Sequence, residues 1–164
     1  MALLEVNHLK RVSPTRFGGN KVQALTDVTF SVEEGEFVAI MGESGSGKTT
    51  LLNILASLDK PTAGEVLLCG TPLRTIKEGQ LAAFLRQHLG FVLQDFNLLD
   101  TFSVEDNIYL SLVLDGRQKY DGMRARLEPP AHKLPISAIL KKSPYQISGG
   151  QKPRLCIARA ILKH

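Results

Sequence analysis

The sequence predicts an α/β fold in which strands come first and helices follow. Apolar residues alternate at near period two over Leu3–Leu9 and Val22–Val32, as in strands with one buried face. The wholly apolar run Phe37–Met41 then leads directly into a glycine-rich turn and an amphipathic helix. From about residue 97 the apolar spacing becomes helical, so we expect an N-terminal β part, a core and a helical insertion.

The elements follow in order along the chain. The acidic turn 33–36 separates the second strand from Phe37–Met41, which should be a strand buried on both faces. Leu51, Leu52, Leu55 and Leu58 share one side of the next helix, which Pro61 ends. The remaining predicted elements are strands at Glu65–Leu68 and Phe91–Leu93, helices at Glu78–His88, Val104–Leu114, Met123–Leu134 and Gln151–Leu162, and a polar connector at Gly116–Gly122.

Length and composition are those of one globular domain, with 164 residues, 43% hydrophobic and 22% charged. No apolar run approaches the roughly 18 residues of a membrane span, and the N-terminus lacks the apolar core of a signal peptide. We therefore expect a cytoplasmic protein that reaches a membrane only through a partner.

The net charge of +4 and the two cysteines bear on three other possibilities: nucleic-acid binding, a disulfide bond and a zinc site. The basic excess is spread over helical segments without interleaved aromatic residues or tryptophan, which favours a solvated face over nucleic-acid binding. Cys69 and Cys156 lie in apolar surroundings without a second ligand at metal-binding spacing. Buried, reduced thiols are expected at both positions rather than a disulfide or a zinc site.

A phosphate-binding motif lies between the third strand and the following helix. Gly42, Gly47, Lys48 and Thr49 satisfy the P-loop pattern GxxxxGK[ST] at every constrained position. Glycines allow backbone N–H groups to turn towards phosphates, and the helix directs its positive end at the same anion. Lys48 is expected to reach the β and γ phosphates of a nucleotide, and the Thr49 hydroxyl to ligate Mg²⁺.

A second motif distinguishes among P-loop proteins. Ile147-Ser-Gly-Gly-Gln151, followed by a basic, apolar helix, closely resembles the signature sequence of the ATP-binding-cassette (ABC) family. Gln94, at the end of the predicted strand Phe91–Leu93, matches the Q-loop glutamine of that family. The three motifs come in the family's order over most of the chain. Ser148 is also a suitable helix N-cap, which is the structural alternative to a binding role.

The resemblance implies a fold and a binding mode. The fold is a P-loop NTPase core with an N-terminal antiparallel β subdomain and a helical insertion. In the family, ATP lies between the P-loop of one protomer and the signature of the other, in a head-to-tail homodimer, and an integral membrane permease subunit is the partner. The implied sites are Gln94 for catalysis, Thr49 and Gln94 for Mg²⁺, and, for the nucleotide, Phe17, Gly42, Glu43, Ser44, Gly45, Ser46, Gly47, Lys48, Thr49, Thr50, Ser148, Gly149, Gly150 and Gln151.

A finer resemblance concerns the kind of transporter. The segments 18–55 and 91–110 are similar to the bacterial subgroup that serves lipoprotein release, macrolide export and bacitracin-type antimicrobial-peptide resistance. This implies a peripheral location at the inner face of the plasma membrane, with Asp100–Leu112 near the coupling surface for the permease. The alternative for Ile108, Leu110 and Leu112 is ordinary helical core.

The sequence also departs from the family. It ends at His164, before the Walker B aspartate and glutamate, so the fold is expected to be incomplete at its C-terminus. Phe37–Met41 should then have unpaired backbone groups and exposed side chains. Hydrolysis should lose a general base worth about 10²–10⁴-fold, so the alternative function is a non-hydrolysing nucleotide-binding module or an inactive fragment.

Prolines and an aromatic position add to these departures. Only Phe17 can stack on adenine where the family carries its aromatic A-loop residue. Pro130 and Pro135 predict local disturbance over residues 128–137, because proline cannot supply a left-handed helix cap. Pro153 is tolerable within a first helical turn. The expected organisation is one domain, 1–164, comprising a β/P-loop part (1–94), a helical subdomain (95–150) and a signature helix (151–164).

Overall fold

The structure, a computed structural model, describes residues 2–14, 21–114 and 120–162. It divides into two compact units, Met1–His88 and Leu89–His164.

The first unit is built on a four-stranded antiparallel sheet in the order β2-β1-β3-β4. Its strands are β1 (Ala2–Pro14), β2 (Lys21–Glu33), β3 (Ala63–Leu68) and β4 (Thr71–Pro72). Val6 on β1 lies opposite Phe30 on one side and Val66 on the other, and it is fully buried. The alternating pattern therefore predicted β1 and β2 as strands correctly, although β1 extends further than expected, and their antiparallel pairing is the one that the family resemblance implied.

Two helices complete this unit, α1 (Lys48–Leu55) and α2 (Glu78–His88). The bounds of α2 are those predicted, and α1 begins directly after Gly47, as the phosphate-binding motif predicted. The buried side chains of α1 are Leu51 and Ile54, whereas Leu52 and Leu58 are exposed. The predicted apolar side of this helix was therefore only partly correct.

The predicted strands Phe37–Met41 and Phe91–Leu93 do not form. A strand buried on both faces requires a hydrogen-bonded neighbour, and each described strand pairs only within the antiparallel sheet. Phe37 and Met41 are consequently 94% and 87% exposed. The expectation of unpaired backbone and exposed apolar side chains is confirmed for this segment, and the expectation of strand is wrong for both.

The second unit is helical, with α3 (Val104–Val113), α4 (Tyr120–Lys133) and α5 (Gln151–Ile161). A capping box between Ser103 and Asp106 begins α3. The core contains fully buried residues from all three helices: Ile108, Tyr109, Leu127 and Leu155. Helix α4 starts at Tyr120 rather than at Met123 as predicted, so the described part of the predicted connector, from Tyr120 to Gly122, is helical.

The prolines disturb the second unit at one position. Helix α4 continues through Pro129 and Pro130 to Lys133, so the helix itself persists. Pro135 follows with a φ of 27°, in the left-handed region. The Ile136 N–H reaches back to the Ala131 carbonyl at 2.9 Å, which places Pro135 where a helix-ending glycine normally lies. The prediction that a proline cannot occupy this left-handed position was therefore wrong. The disturbance expected over residues 128–137 is limited to backbone strain at Pro135, because the proline ring favours a φ near −65°.

The two cysteines differ from each other. Cys156 is fully buried on α5, as predicted. Cys69 is exposed, and the prediction for it was wrong, because it begins the tight turn after β3 with a φ of 50°. Its Sγ lies 3.7 Å from Nδ1 of His88. No helix in the described part of the chain has the length and apolar character needed to cross a bilayer.

Candidate nucleotide-binding site

The glycine-rich loop that precedes α1 is shaped by Gly47. This residue is the N-cap of α1 with a φ of 90°, which residues with a side chain rarely adopt. A Cβ at this position would lie 2.4 Å from the Ala24 carbonyl oxygen and 2.9 Å from Leu25 Cδ2. Position 47 therefore requires glycine for its backbone conformation and for its close approach to β2.

The loop also closes tightly at its other end. A Cβ on Gly42 would lie 2.7 Å from the hydroxyl oxygen of Ser46. The Ser46 N–H donates to the Glu43 carbonyl at 3.2 Å, so the chain curls back between these residues. A side chain at position 42 would therefore have to displace the Ser46 hydroxyl group, which is the end of a short, rotatable side chain.

Lys48 extends back into this curl. Its ammonium group donates to the carbonyls of Gly42 at 2.8 Å and Glu43 at 2.6 Å, and lies 3.2 Å from the Ser46 hydroxyl oxygen. All three acceptors are neutral, so the positive charge of Lys48 is not cancelled by a carboxylate there. The N-terminus of α1 adds the positive end of the helix dipole. The loop therefore offers a fixed cation and a helix start to an anion.

The predicted phosphate-binding residues 42–50 are brought together by this single loop and the first turn of α1. Ser44 and Thr49 are exposed, and Thr50 is partly buried. The Thr49 side chain in the first helical turn is accessible to a ligand. Phe17 lies outside the described residues.

The signature residues form an exposed turn that leads into α5. The prediction that Ser148 is the N-cap is wrong: Gly150 holds that position, and no side chain caps the helix. The Ser148 N–H donates to Oε1 of Gln151 at 2.9 Å, and its carbonyl accepts from the Gln151 N–H at 3.0 Å. The Ser148 carbonyl also accepts from the Lys152 N–H at 3.3 Å, so these backbone bonds join Ser148 to the first turn of α5.

Helix α5 tolerates Pro153 as predicted. The proline is the third residue of the helix, where its missing N–H would have no partner within the helix. Ser148, Gly149 and Gly150 are all exposed in front of it. The Gln151 side chain closes the signature turn by its bond to Ser148.

Gln94 is exposed in a turn rather than at the end of a strand. The two residues after Asp95 have left-handed backbone, with φ of 60° at Phe96 and 44° at Asn97. Gln94 and the signature turn belong to the second unit, and the glycine-rich loop belongs to the first. Each unit therefore carries a contiguous part of the predicted site.

The structure adds two residues that sequence reasoning missed. Asn107 is fully buried and hydrogen-bonds to the backbone of Leu99. Arg159 donates to the carbonyls of Phe96 at 3.0 Å and Asn97 at 3.3 Å. The only signal for Asn107 is an amide within an apolar helical pattern, and the partners of Arg159 are more than 60 positions away, beyond local spacing.

Metal binding has no preformed acidic cluster in the ranges that the structure describes. Within them, no group of three or more His, Cys, Asp or Glu side chains is arranged to hold an ion.

Comparisons with known proteins agree with the two motifs. The family model described as ABC transporter matches residues 25–164. The uncharacterized ABC transporter ATP-binding protein YvcR of Bacillus subtilis is 49% identical over 162 residues, or 99% of this chain and 62% of YvcR. The bacitracin export ATP-binding protein BceA of Halalkalibacterium halodurans is 43% identical over 164 residues, or 99% of this chain and 63% of BceA. The chain thus spans about three-fifths of the length of these relatives.

Solved structures extend the agreement to the fold. The dimeric structure of a post-hydrolysis state of the ATP-binding cassette MJ0796, bound to ADP and Pi, matches with a TM-score of 0.89 at 34% identity. The match covers 98% of this chain and 69% of that one. The α/β P-loop fold predicted from the sequence is therefore confirmed, and the chain belongs to the ABC transporter family.

Proposed function

We propose that this chain binds Mg²⁺ and ATP through its glycine-rich loop and serves as the ATP-binding subunit of an ABC exporter. The observation that carries the proposal is the position of the Lys48 ammonium group inside the curl of that loop, where its acceptors among the described residues are three neutral oxygens. A fixed cation beside a helix N-terminus is suited to the phosphates of a nucleotide.

The residues present fit a nucleotide with its metal ion. The loop has no room for a Cβ at position 47, where the Ala24 carbonyl would lie 2.4 Å away, as a cradle of backbone N–H groups requires. Lys48 exchanges its carbonyl acceptors for β- and γ-phosphate oxygens. The Thr49 hydroxyl, and Gln94 of the second unit, are the proposed ligands for the metal. When bound, Mg²⁺ neutralises part of the phosphate charge.

A second copy of the chain completes the proposed site. Ser148, Gly149 and Gly150 are exposed, and the serine hydroxyl is not used as a helix cap. They present a hydroxyl and a helix start to a γ-phosphate bound by the partner protomer. The head-to-tail homodimer is supported by the dimer in the MJ0796 structure.

For ATP hydrolysis we propose less than for ATP binding. The family is one of ATPases, but Gln94 is the one residue proposed to orient the attacking water in these 164 residues. We propose that this chain alone binds ATP and hydrolyses it slowly. The carboxylate that would act as general base is not among the residues proposed for this site, and such a base contributes about 10²–10⁴-fold to the rate of hydrolysis.

Coupling to a permease is proposed for the segment 100–112, at the inner face of the plasma membrane. Ile108 and Leu112 are buried core residues, so ordinary helical core is favoured for these two, whereas Leu110 is only partly buried. Phe102, 43% exposed, is the apolar side chain available for a partner in this segment. Export, rather than import, is supported by the similarity to the bacitracin export ATP-binding protein BceA.

Nucleotide affinity tests the proposal. Dissociation constants for ATP, measured by calorimetry with Mg²⁺, should rise at least about 100-fold in Lys48→Ala, because a charge-assisted contact to phosphate is lost. Lys60→Ala removes an exposed lysine of the same unit and should leave the affinity unchanged. Equal affinity of Lys48→Ala and the parent protein would refute ATP binding by this loop. Phosphate release as fast as that of a full-length relative would refute slow turnover.

A further inference from the structure

The segment that contains Gln94 is held against helix α5 at three points. A Cβ on Gly90 would lie 3.2 Å from the Cβ of Ala160, so the chain passes close to the helix before Gln94. After Gln94, the Cys156 Sγ lies 3.6 Å from the Phe96 carbonyl oxygen. The third point is Arg159, whose guanidinium group bonds to two successive carbonyls.

The geometry at Arg159 is specific to arginine. Nη2 donates to the Phe96 carbonyl at 3.0 Å, and Nη1 donates to the Asn97 carbonyl at 3.3 Å. A planar guanidinium presents these donors in a fixed fork, whereas a lysine ammonium is a single point of charge. Hydrogen bonds from a charged donor are also stronger than those between neutral groups.

The two carbonyls belong to a strained turn. Phe96 and Asn97 both have left-handed backbone, with φ of 60° and 44°. Two consecutive residues with side chains in this conformation persist only where the surroundings hold them. The local backbone bonds are those from Phe96 N–H to Leu93 at 3.1 Å and from Asn97 N–H to Asp95 at 2.7 Å. From outside the turn, Arg159 bonds to both carbonyls, and the Cys156 thiol contacts only that of Phe96.

Helix α5 joins this turn to the signature. It begins at Gln151, directly after the signature glycines, and Arg159 lies about two turns further along. Between them, Leu155, Cys156 and Ala158 are fully buried in the core of the second unit. A packed helix of this length moves as a unit, so a displacement at its start is transmitted to Arg159.

We propose that Arg159 is a positioning residue that fastens the turn after Gln94 to the signature helix. Through it, the contact of the signature turn with a phosphate sets the position of the Gln94 side chain. The coupling to nucleotide rests on the proposed function, whereas the fastening of the turn does not.

Amide hydrogen exchange of the full chain without nucleotide tests the fastening. In Arg159→Gln, exchange over residues 94–98 should rise about tenfold or more, as expected for the loss of bonds to a charged donor. Exchange in α3 should not change, and Arg159→Lys should give a smaller rise. Arg124→Gln makes the same change at an exposed position of α4 and should leave residues 94–98 as in the parent. Unchanged exchange at 94–98, or an equal rise throughout α3, overturns the proposal.

A double-mutant cycle tests the coupling to nucleotide. The measured quantity is the ratio of the ATP dissociation constants without and with Mg²⁺. Gln94→Ala and Arg159→Gln should each lower this ratio, and the double variant should match Gln94→Ala because both changes act on the same contact. Additive effects overturn the coupling. Failure of ATP binding itself is detected separately by the parent and Lys48→Ala, and the exchange experiment then still decides the fastening.

Discussion

The Asn107 side chain hydrogen-bonds to both backbone groups of Leu99. Its Oδ1 accepts from the Leu99 N–H at 2.8 Å, and its Nδ2 donates to the Leu99 carbonyl at 3.0 Å. Nδ2 also lies 2.9 Å from the Ser103 carbonyl oxygen. Asn107 is fully buried, and its side chain supplies the partner of the Leu99 N–H and a second bond to the Leu99 carbonyl, which also accepts from the Phe102 N–H at 3.1 Å.

Replacing Asn107 should therefore destabilise the second unit strongly. Asn107→Leu removes these bonds and leaves the Leu99 N–H without its partner, whereas the Leu99 carbonyl keeps its bond from the Phe102 N–H at 3.1 Å, so we expect a loss of about 1–3 kcal/mol in the free energy of unfolding. Urea unfolding followed by circular dichroism measures it. Asn53→Ala, in α1, serves as the control and should change stability by less than about 0.5 kcal/mol. Comparable losses in both variants would contradict the role assigned to Asn107.

Substitutions of two glycines in the P-loop should have unequal effects. Gly45 and Gly47 have φ of 84° and 90°, so alanine is strained at both by about 1–2 kcal/mol. Only at Gly47 does the added Cβ clash, with the Ala24 carbonyl, whereas the space around Gly45 is open. Gly47→Ala should thus reduce thermal stability and ATP affinity clearly more than Gly45→Ala. Equal losses of thermal stability and ATP affinity in the two variants would mean that the close approach of Gly47 to β2 contributes to neither property.

Pro135→Gly should stabilise the protein. Glycine adopts the left-handed backbone without strain and supplies an N–H for the end of α4, which together relieve about 1–3 kcal/mol. The greater freedom of the unfolded chain offsets about 0.4–1 kcal/mol of this gain. Pro72 has a relaxed φ of −65°, so Pro72→Gly should destabilise. Urea midpoints that fall in both variants would contradict strain at Pro135.

Cys156 should make the stability depend on alkaline pH. Burial raises the pKa of its thiol above the ordinary 9.0, and the positive charge of Arg159 partly opposes this shift. Because the folded protein holds this proton more tightly than the unfolded chain, the stabilisation is complete below pH 9.0 and is lost as the pH rises through the folded pKa. Unfolding free energies measured from pH 8 to pH 11 should therefore fall less steeply in Cys156→Ala than in the parent. Parallel profiles would contradict this effect.

The apolar segment before the P-loop should promote self-association. Phe37 and Met41 are almost fully exposed next to unpaired backbone, which is a common cause of aggregation. The double variant Phe37→Glu and Met41→Lys should remain dispersed at concentrations where the parent scatters light. Leu58→Glu changes another exposed apolar residue of the same unit and should behave like the parent. A parent that does not associate would show that this segment is covered in solution.

Features encoded within a few residues were predictable from the sequence. Helix α2 has its predicted bounds, and the antiparallel strands follow the alternating pattern. The glycine-rich loop formed where its motif placed it, because the left-handed backbone of Gly47 is a local property and Lys48 reaches acceptors at most six positions away. The membership of the ABC transporter family could be predicted for the same reason, since both motifs are contiguous.

Only the tertiary structure decided the features that depend on distant or competing partners. Phe37–Met41 has the composition of a buried strand, but strand formation requires a neighbour that local sequence cannot supply. Ser148 has the chemistry of an N-cap, yet the turn formed by the following glycines makes Gly150 the N-cap. Arg159 reaches Phe96 across 63 positions, and no periodicity records such a contact. Local sterics and hydrogen bonds are thus encoded in the sequence, whereas burial and long-range pairing depend on how the whole chain packs.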